Sequence, residues 1–515
     1  MKPQLYLSMR NYKKRDLISD LIAGLMVAII ALPLSIALGI QSVPAEVSGR
    51  GIQFGIITAI VAGFFISAVG GSKHQIGGPT AAFVVILYGY LLNPQIGILG
   101  LAIAGIMAGA ILIILGYCRA GSVMKFFPYP ITIGFTTGIG VTLLIGQIKD
   151  LCGFDASGTE AIEKIISYIE NIKTFDLATF FVGVLGLICV IGIPKISKKI
   201  PAAFVALIVC TIATVLLNSF AGTNIDTIGS KYGDIKAGFF PIDFGGISSI
   251  NFGALIVPAI VIAFLCAIES LLSATVASGM TGQAFDANQE LVGQGVANIF
   301  SSLLGGLPAT GAIARTAASI ENGAKSPLAG VFHALFVLVM YFALMGVMKF
   351  IPLAVFSAIL ISVAINMSRF PLFIKLCKFG IRDVIILVVT CALTIIFDLT
   401  YGVLGGVAVT FIVNAKNLVK GLKIERVEGA ETPTLKASGT LFFVNANKLC
   451  DAILKEFENA DNVTVDLENV ERIDETALEK IVTLNKKIKS QGKNLDLVNY
   501  NQKICKRMDK FFHSL

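Results

Sequence analysis

Two stretches decide how this chain is read: Gly77-Gly78-Pro79-Thr80 and Gly305-Gly306-Leu307-Pro308-Ala309-Thr310. Each interrupts the apolar pattern and opens a short apolar run. The first run goes from Thr80 to about Leu92, where Asn93-Pro94 ends it, and the second from Thr310 to about Asn322. At 1.5 Å per residue such runs reach only about 16–20 Å, roughly half of a hydrocarbon core of about 30 Å. They predict two half-helices that begin near the middle of a membrane. A helix beginning there leaves its first N–H groups unpaired, with about half a positive charge from the macrodipole, and lipid cannot satisfy them. Two such ends brought head to head make an anion site at the bilayer centre. The glycines permit close backbone approach, and each proline sits at or near a first-turn position where its missing N–H costs nothing. Kinks in two ordinary spans are the simpler alternative, since Gly and Pro are frequent in membrane helices. The recurrence of one kind of break in two halves of the chain favours the site.

The composition requires a lipid solvent. The chain is 55% hydrophobic and 14% charged, with mean hydropathy +0.82, against about 25% charged residues in ordinary soluble domains. Apolar runs and their breakers predict spans near 17–39, 51–70, 80–92, 96–117, 129–148, 176–194 and 201–220, and a second series near 252–278, 289–304, 310–322, 327–349, 352–367, 382–398 and 401–419. The total is even, so both termini share a side. Basic clusters mark that side as cytoplasmic: Lys13, Lys14 and Arg15; Lys195, Lys198 and Lys199; Lys375, Lys378 and Arg382; Lys416, Lys420 and Lys423. The segment 150–176, with Asp155, Glu160, Glu163 and Glu170, and the stretch 222–250 fall on the opposite face. The basic N-terminus precedes an apolar run that passes through Pro33 with no small-residue cleavage site, which favours a retained first span over a cleaved signal. A multi-pass protein of the inner (plasma) membrane is expected.

The net charge of +8 is carried by short loops and span ends, so it is no nucleic-acid signal. Nine scattered cysteines, with no C-x-x-C pair and no His/Cys cluster, read as small buried hydrophobes rather than metal ligands. No cofactor is expected, and no Walker-type loop or kinase pattern is present. Beyond Lys423 the composition becomes that of a small α/β domain, with strands at 435–444, 462–467 and 494–499 and helices at 448–457, 476–490 and 502–512. The domain division is 1–423, with repeats at about 1–220 and 251–423, and 424–515.

Ionisable residues inside the spans gather near the second break. Glu269 lies mid-span in Ala-Phe-Leu-Cys-Ala-Ile-Glu-Ser, and Arg315 lies within two turns of Thr310. A charge at that depth is a functional candidate. The competing reading is a static Glu269–Arg315 pair that ties two helices together. Gly78, Thr80, Ala81, Ala309, Thr310, Ala314 and Arg315 are the candidate substrate-binding residues. Glu269, Ser273 and Thr310, with Ser270 nearby, are the candidates for a coupling H+ or Na+, because a buried carboxylate is stabilised by a proton, a cation or an adjacent arginine. His333 reads as a hydrogen-bonded interior histidine, and Asp398 as a solvated span end.

The sequence resembles the SulP anion transporters over nearly its whole length. The resemblance is carried by Asp20-Leu-Ile-Ala-Gly-Leu, Gly77-Gly-Pro-Thr80, Phe127-Pro-Tyr-Pro-Ile-Thr-Ile-Gly-Phe-Thr136, Asn288-Gln-Glu-Leu-Val-Gly-Gln-Gly295, Gly305-Gly-Leu-Pro-Ala-Thr-Gly-Ala-Ile-Ala-Arg315-Thr and the terminal domain. It implies an all-α polytopic membrane protein of seven plus seven inverted-repeat transmembrane spans (UraA-like), a core domain carrying the site beside a gate domain, a small C-terminal α/β STAS domain, and a homodimer. It places the anion between the half-helices of spans 3 and 10, with Glu269 in the position of the family's eighth-span acid. Where many relatives have Pro-Gln in the first span, this chain has Pro33-Leu34, a more apolar wall. Where related anti-sigma-factor antagonists carry a phosphorylatable Asp-Ser, it has Asp474-Glu475-Thr476, which leaves Thr476 as the only hydroxyl there. The expected function is secondary active transport of sulfate, bicarbonate or a C4-dicarboxylate by H+- or Na+-coupled symport or exchange. An anion channel or a nucleobase transporter of the same fold are the alternatives, and Arg315 argues against a neutral nucleobase. The partners expected are the anion, the lipid bilayer and a cytoplasmic protein at the STAS domain, with no nucleic acid.

Overall fold

A computed structural model of the chain describes residues 1–10, 12–121, 129–154, 158, 161–197, 200–233, 236–377, 380–397, 399–418, 421–427, 432–442, 445–457, 460–490 and 492–499. The first half of the membrane part runs α1 (Gln4–Met9), α2 (Lys14–Ser42), α3 (Gly51–Val69), β1 (Gly77–Gly78), α4 (Ala81–Leu92), α5 (Gly97–Tyr117), α6 (Tyr129–Cys152), α7 (Ala161–Glu170), α8 (Leu177–Ile196), α9 (Ala202–Phe220) and α10 (Ile228–Tyr232). The second half runs α11 (Phe252–Thr281), α12 (Ala287–Leu303), β2 (Thr310–Gly311), α13 (Ile313–Glu321), α14 (Leu328–Met348), α15 (Leu353–Ser368), α16 (Phe370–Leu376), α17 (Ile381–Ile396) and α18 (Leu399–Leu418). With α1, α7, α10 and α16 set aside, both halves read alike: two long helices, a two-residue strand, a short helix, then four helices. Those fourteen helices fall on the fourteen runs expected from hydropathy, and the four set aside were not foreseen.

Among the described residues, nine helices are long and apolar enough to cross a membrane. Their outward faces stay apolar, with Ile188, Val257 and Val339 exposed by 63%, 62% and 56%. A water-soluble surface avoids such continuous apolar cover.

By internal contacts the chain divides into two compact units, residues 1–124 with 139–367, and 125–138 with 368–515. In the first, helices approach closely through small residues, as membrane helices do. A Cβ on Gly109 of α5 would come 2.6 Å from the Gly295 carbonyl of α12, and one on Gly295 would come 2.5 Å from the Gly109 carbonyl. Only glycine at both positions allows that contact. Asp20, fully buried on α2, accepts hydrogen bonds from Tyr12 Oη (2.7 Å), the amides of Lys325 (2.6 Å) and Ser326 (3.0 Å), and Ser326 Oγ (2.5 Å). It holds the turn before α14 against the start of α2.

The second unit ends in the α/β domain: β3 (Leu422–Val427), β4 (Thr434–Leu441), α19 (Ala446–Glu456), β5 (Asn462–Ile473), α20 (Glu475–Ser490) and β6 (Asn494–Val498). The sheet order is β3-β4-β5-β6, with β3 antiparallel to β4 and the other pairs parallel. Leu435, Val465 and Leu495 from the sheet and Leu449 and Ile481 from the helices share its core. β3 was not foreseen because Lys423, Glu425 and Arg426 leave only Leu422 and Ile424 as its inward pattern. The helix expected at 502–512 lies outside the described residues, as does Asp398. Thr476 is buried, and its hydroxyl accepts from the Tyr129 amide at 2.9 Å. As folded it is not a free hydroxyl.

Candidate functional site

The two breaks meet. Gly77 pairs with Gly311 and Gly78 with Thr310 in an antiparallel two-strand ladder. Because the strands run in opposite directions, α4 and α13 leave the ladder on opposite headings, and both N-termini point back at it. Neither helix has a side-chain cap, whereas Asp176, Asn251 and Asp286 cap α8, α11 and α12. The first-turn N–H groups of α4 and α13 therefore keep their donor capacity and their share of the helix dipole. Ala81 opens α4 in a buried position, while Ala314 in the first turn of α13 is exposed.

Two helices place side chains on this ladder. From α11, Glu269 Oε2 accepts from Thr80 Oγ1 and from Thr310 Oγ1, each at 2.9 Å, so one carboxylate oxygen joins the residues that precede both half-helices. From α13, the fully buried Arg315 turns back onto the approach to α4. Its Nη1 donates to the Gly77 carbonyl (3.3 Å), its Nη2 to the Pro79 carbonyl (3.4 Å) and to Ser35 Oγ of α2 (3.1 Å), and its Nε has no partner among the described residues. The guanidinium lies against Gly78, where an added Cβ would come 1.9 Å from Nη1 and where φ is +154°. Glycine is required there on both counts. Among the described residues the ion pairs lie in the α/β domain. Glu269 and Arg315 are therefore not the static pair that the sequence allowed. Each is buried at the ladder with neutral partners, and a buried charge without a countercharge is costly unless something else compensates it.

The other candidate residues are placed differently. Ala309 spends its backbone on Asn298 of α12, its N–H donating to Oδ1 and its carbonyl accepting from Nδ2, both at 2.9 Å. Ser270 Oγ accepts from the Gly311 amide at 3.0 Å, and Ser273 Oγ lies 3.3 Å from Thr316 Oγ1, so Ser273 is not brought to Glu269. His333 corrects an expectation. It is fully buried, and neither ring nitrogen has a hydrogen-bond partner among the described residues. Its ring packs beside Gly63, whose added Cβ would be 3.3 Å from Cδ2, and this shape-filling contact comes with no polar one. Among the described residues no group of His, Cys, Asp or Glu is arranged to hold a metal ion.

Sequence reasoning also missed the residues that build the site. Asn298 clamps Ala309, Gln75 Nε2 donates to the Ser270 carbonyl (3.1 Å), Thr316 Oγ1 accepts from the Ile76 amide (3.2 Å), and the fully buried Glu290 accepts from the Gly71 and Ser72 amides and from Gln294 Nε2, all at 2.9 Å. Glu290 alone left a signal, an acid within a predicted span.

Comparison with known proteins gives this geometry its family. The pattern of the sulfate permease family matches residues 17–390, and that of the STAS domain matches residues 422–512. The chain belongs to the sulfate permease family. That is a family of transporters and not of enzymes, which makes this sulfate permease homologue a multi-pass membrane protein with a STAS domain. It is 34% identical to the "Putative sulfate transporter YvdB" of Bacillus subtilis over 98% of this chain and 96% of that one. It is 28% identical to the "Bicarbonate transporter BicA" of Picosynechococcus over 80% of this chain and 73% of the relative. The solved transmembrane domain of a cyanobacterial BicA superposes with TM-score 0.67 at 26% identity, covering 77% of this chain and 98% of the other. SLC26A9 has the same fold, with TM-score 0.69 at 17% identity over 98% and 89%.

Proposed function

We propose that this permease homologue is a secondary active transporter of a small anion of the sulfate, bicarbonate or C4-dicarboxylate type, bound between the N-termini of α4 and α13. The observation that carries the reading is the pairing of two uncapped half-helix starts beside the buried Arg315, which has no carboxylate partner among the described residues. The backbone N–H groups near Thr80, Ala81 and Ala314 supply donors to the anion's oxygens, and Arg315 supplies a full positive charge from behind the Gly77–Pro79 backbone. In a low-dielectric pocket that combination replaces part of an anion's hydration. The relatives named for sulfate and for bicarbonate support a small-anion cargo.

Glu269 couples the driving ion. Its carboxylate faces both threonines that precede the half-helices, so gain of a proton or of Na+ at Glu269 changes the charge at the site where the anion binds. The termini face the cytoplasm, the chain works as a homodimer, and the STAS domain regulates turnover without touching the anion.

Uptake of labelled sulfate, bicarbonate and a dicarboxylate into proteoliposomes, each with and without an H+ or Na+ gradient, tests the reading. Saturable uptake of one of them that a gradient accelerates is expected. Unsaturable, uncoupled flux would make the protein a channel. A cysteine placed near Glu163 should react with an impermeant reagent in intact cells, and reaction only after permeabilisation would reverse the topology.

A further inference from the structure

Away from the ladder, a cavity of about 210 Å³ opens between α2, α4, α6 and α7. Its α4 wall is Val84, Val85 and Tyr88, so its floor lies about one helical turn, or 6 Å, beyond Thr80. Two of its side chains have unspent capacity. Gln147 of α6 is 0% exposed, and neither its Nε2 nor its Oε1 has a partner among the described residues. A buried primary amide with donor and acceptor both unmet is a costly arrangement that a ligand relieves. Lys164 of α7 points its ammonium inward, 5.7 Å from the centre of the Tyr88 ring and 3.8 Å from where a Gly146 Cβ would stand, with no ion pair among the described residues. Burial lowers its pKa, and Asp150 opposes that shift.

The remaining charges fit an anion better than a cation. One oxygen of Asp150 is taken by Gln41 Nε2 at 2.9 Å, and Glu46 is exposed to solvent. The fold also explains why Lys164 faces inward. α7 turns Ile162, Ile165, Ile166 and Ile169 outward, all exposed, a stripe suited to the membrane interface, and this leaves the opposite side, with Lys164 and the buried Tyr168, over the cavity.

We propose that this cavity is a second anion subsite, which takes a small oxyanion carrying its own hydroxyl, of the hydrogencarbonate type, on Gln147 and Lys164. The Gln147 Nε2 donates to an anion oxygen, its Oε1 accepts the anion's O–H, and the Lys164 ammonium balances the charge. Sulfate, which has acceptors only, leaves Oε1 unmet. The proposal rests on the reading of the ladder as the central anion site, and its test is built to fail separately.

Equilibrium binding of labelled bicarbonate and labelled sulfate, each alone, is measured on the purified full chain and on Arg315→Ala, which disables the central site. Weak, saturable bicarbonate binding at one site per chain should survive in Arg315→Ala, with sulfate binding there at least about tenfold weaker. Adding Lys164→Gln or Gln147→Leu should abolish it. If Arg315→Ala does not fold, Lys164→Gln in the otherwise intact chain should reduce the bicarbonate sites from two to one and slow uptake at low concentration by about tenfold. Absence of a second class of site, or a second class indifferent to Lys164 and Gln147, overturns the subsite. Equal binding of sulfate there overturns the hydroxyl requirement. A single site in the intact chain that depends on Lys164 and Gln147 and is indifferent to Arg315→Ala would instead count against the proposed function.

Discussion

The two half-helices begin alike and do different work. α4 is uncharged over its whole length, Ala-Ala-Phe-Val-Val-Ile-Leu-Tyr-Gly-Tyr-Leu-Leu, and it offers the site its backbone. α13, only nine residues long, carries Arg315, which crosses to the other break, and Thr316, whose hydroxyl takes the Ile76 amide ahead of β1. The second break thus holds the first one in place while the first returns little but carbonyls. A repeat with two-fold pseudosymmetry has been made asymmetric by side chains, and the full charge sits on one half only. The backbone plan of the site is shared between the halves, whereas its charged side chains come from α11 and α13 of the second half.

Removing the charge should have the largest effect. Arg315→Ala should raise the apparent KM for the transported anion by at least about tenfold, or abolish uptake, without preventing membrane insertion. Arg315→Lys should recover little, because an ammonium cannot serve Gly77, Pro79 and Ser35 as the guanidinium fork does. Unchanged affinity in purified Arg315→Ala would remove the charge from the mechanism.

Next come two glycines of the ladder, Gly78 and Gly311. In Gly78→Ala the new methyl must displace Arg315, so its transport defect should copy that of Arg315→Ala, at a stability cost of about 1–3 kcal/mol. In Gly311→Ala the methyl would instead meet Gln75 Nε2 at 1.6 Å, so melting should drop while the anion affinity of the folded fraction is spared. Thermal unfolding and binding measured on both variants separate the two outcomes, and equal affinity losses would contradict the asymmetry.

Glu269→Gln tests the element common to both halves. Binding and exchange of the anion should persist while accumulation driven by an H+ or Na+ gradient is lost, and retained gradient-driven uptake would take Glu269 out of coupling. The smallest effects belong to Thr80→Val and Thr310→Val. Each removes one of two donors to the same Glu269 oxygen, worth about 1 kcal/mol, so a severalfold and similar change in coupled uptake is expected from both. A large effect from one alone would extend the asymmetry to the threonines.

Much of this was legible before any coordinates. The half-helices were readable because Gly77-Gly78-Pro79 and Gly305–Pro308 break an apolar pattern at a distance from the next breaker that is too short to span a membrane. Arg315 and Glu269 stood out as charges in apolar context. The amphipathic α7 did not, because ten residues that mix Ile with Glu, Lys and Ser read as an ordinary polar loop next to longer spans. Asn298 passed unnoticed for a different reason: its partners on the Gln294 and Ala309 backbone are amides and carbonyls, which every sequence contains and no pattern marks.

Hydropathy, Gly/Pro punctuation and strand–helix alternation act over a few residues at a time, so the membrane class, the order of the helices, the two breaks and the terminal α/β domain follow from the sequence. The tertiary structure alone decided which groups meet. Glu269 finds Thr80 across 189 residues, Arg315 finds Gly77 across 238 and Ser35 across 280, and His333 and Gln147 are left with no partner among the described residues. Hydrogen bonds and charge burial depend on distances of about 3 Å between groups far apart in the chain, and only the packing of the helices fixes those distances.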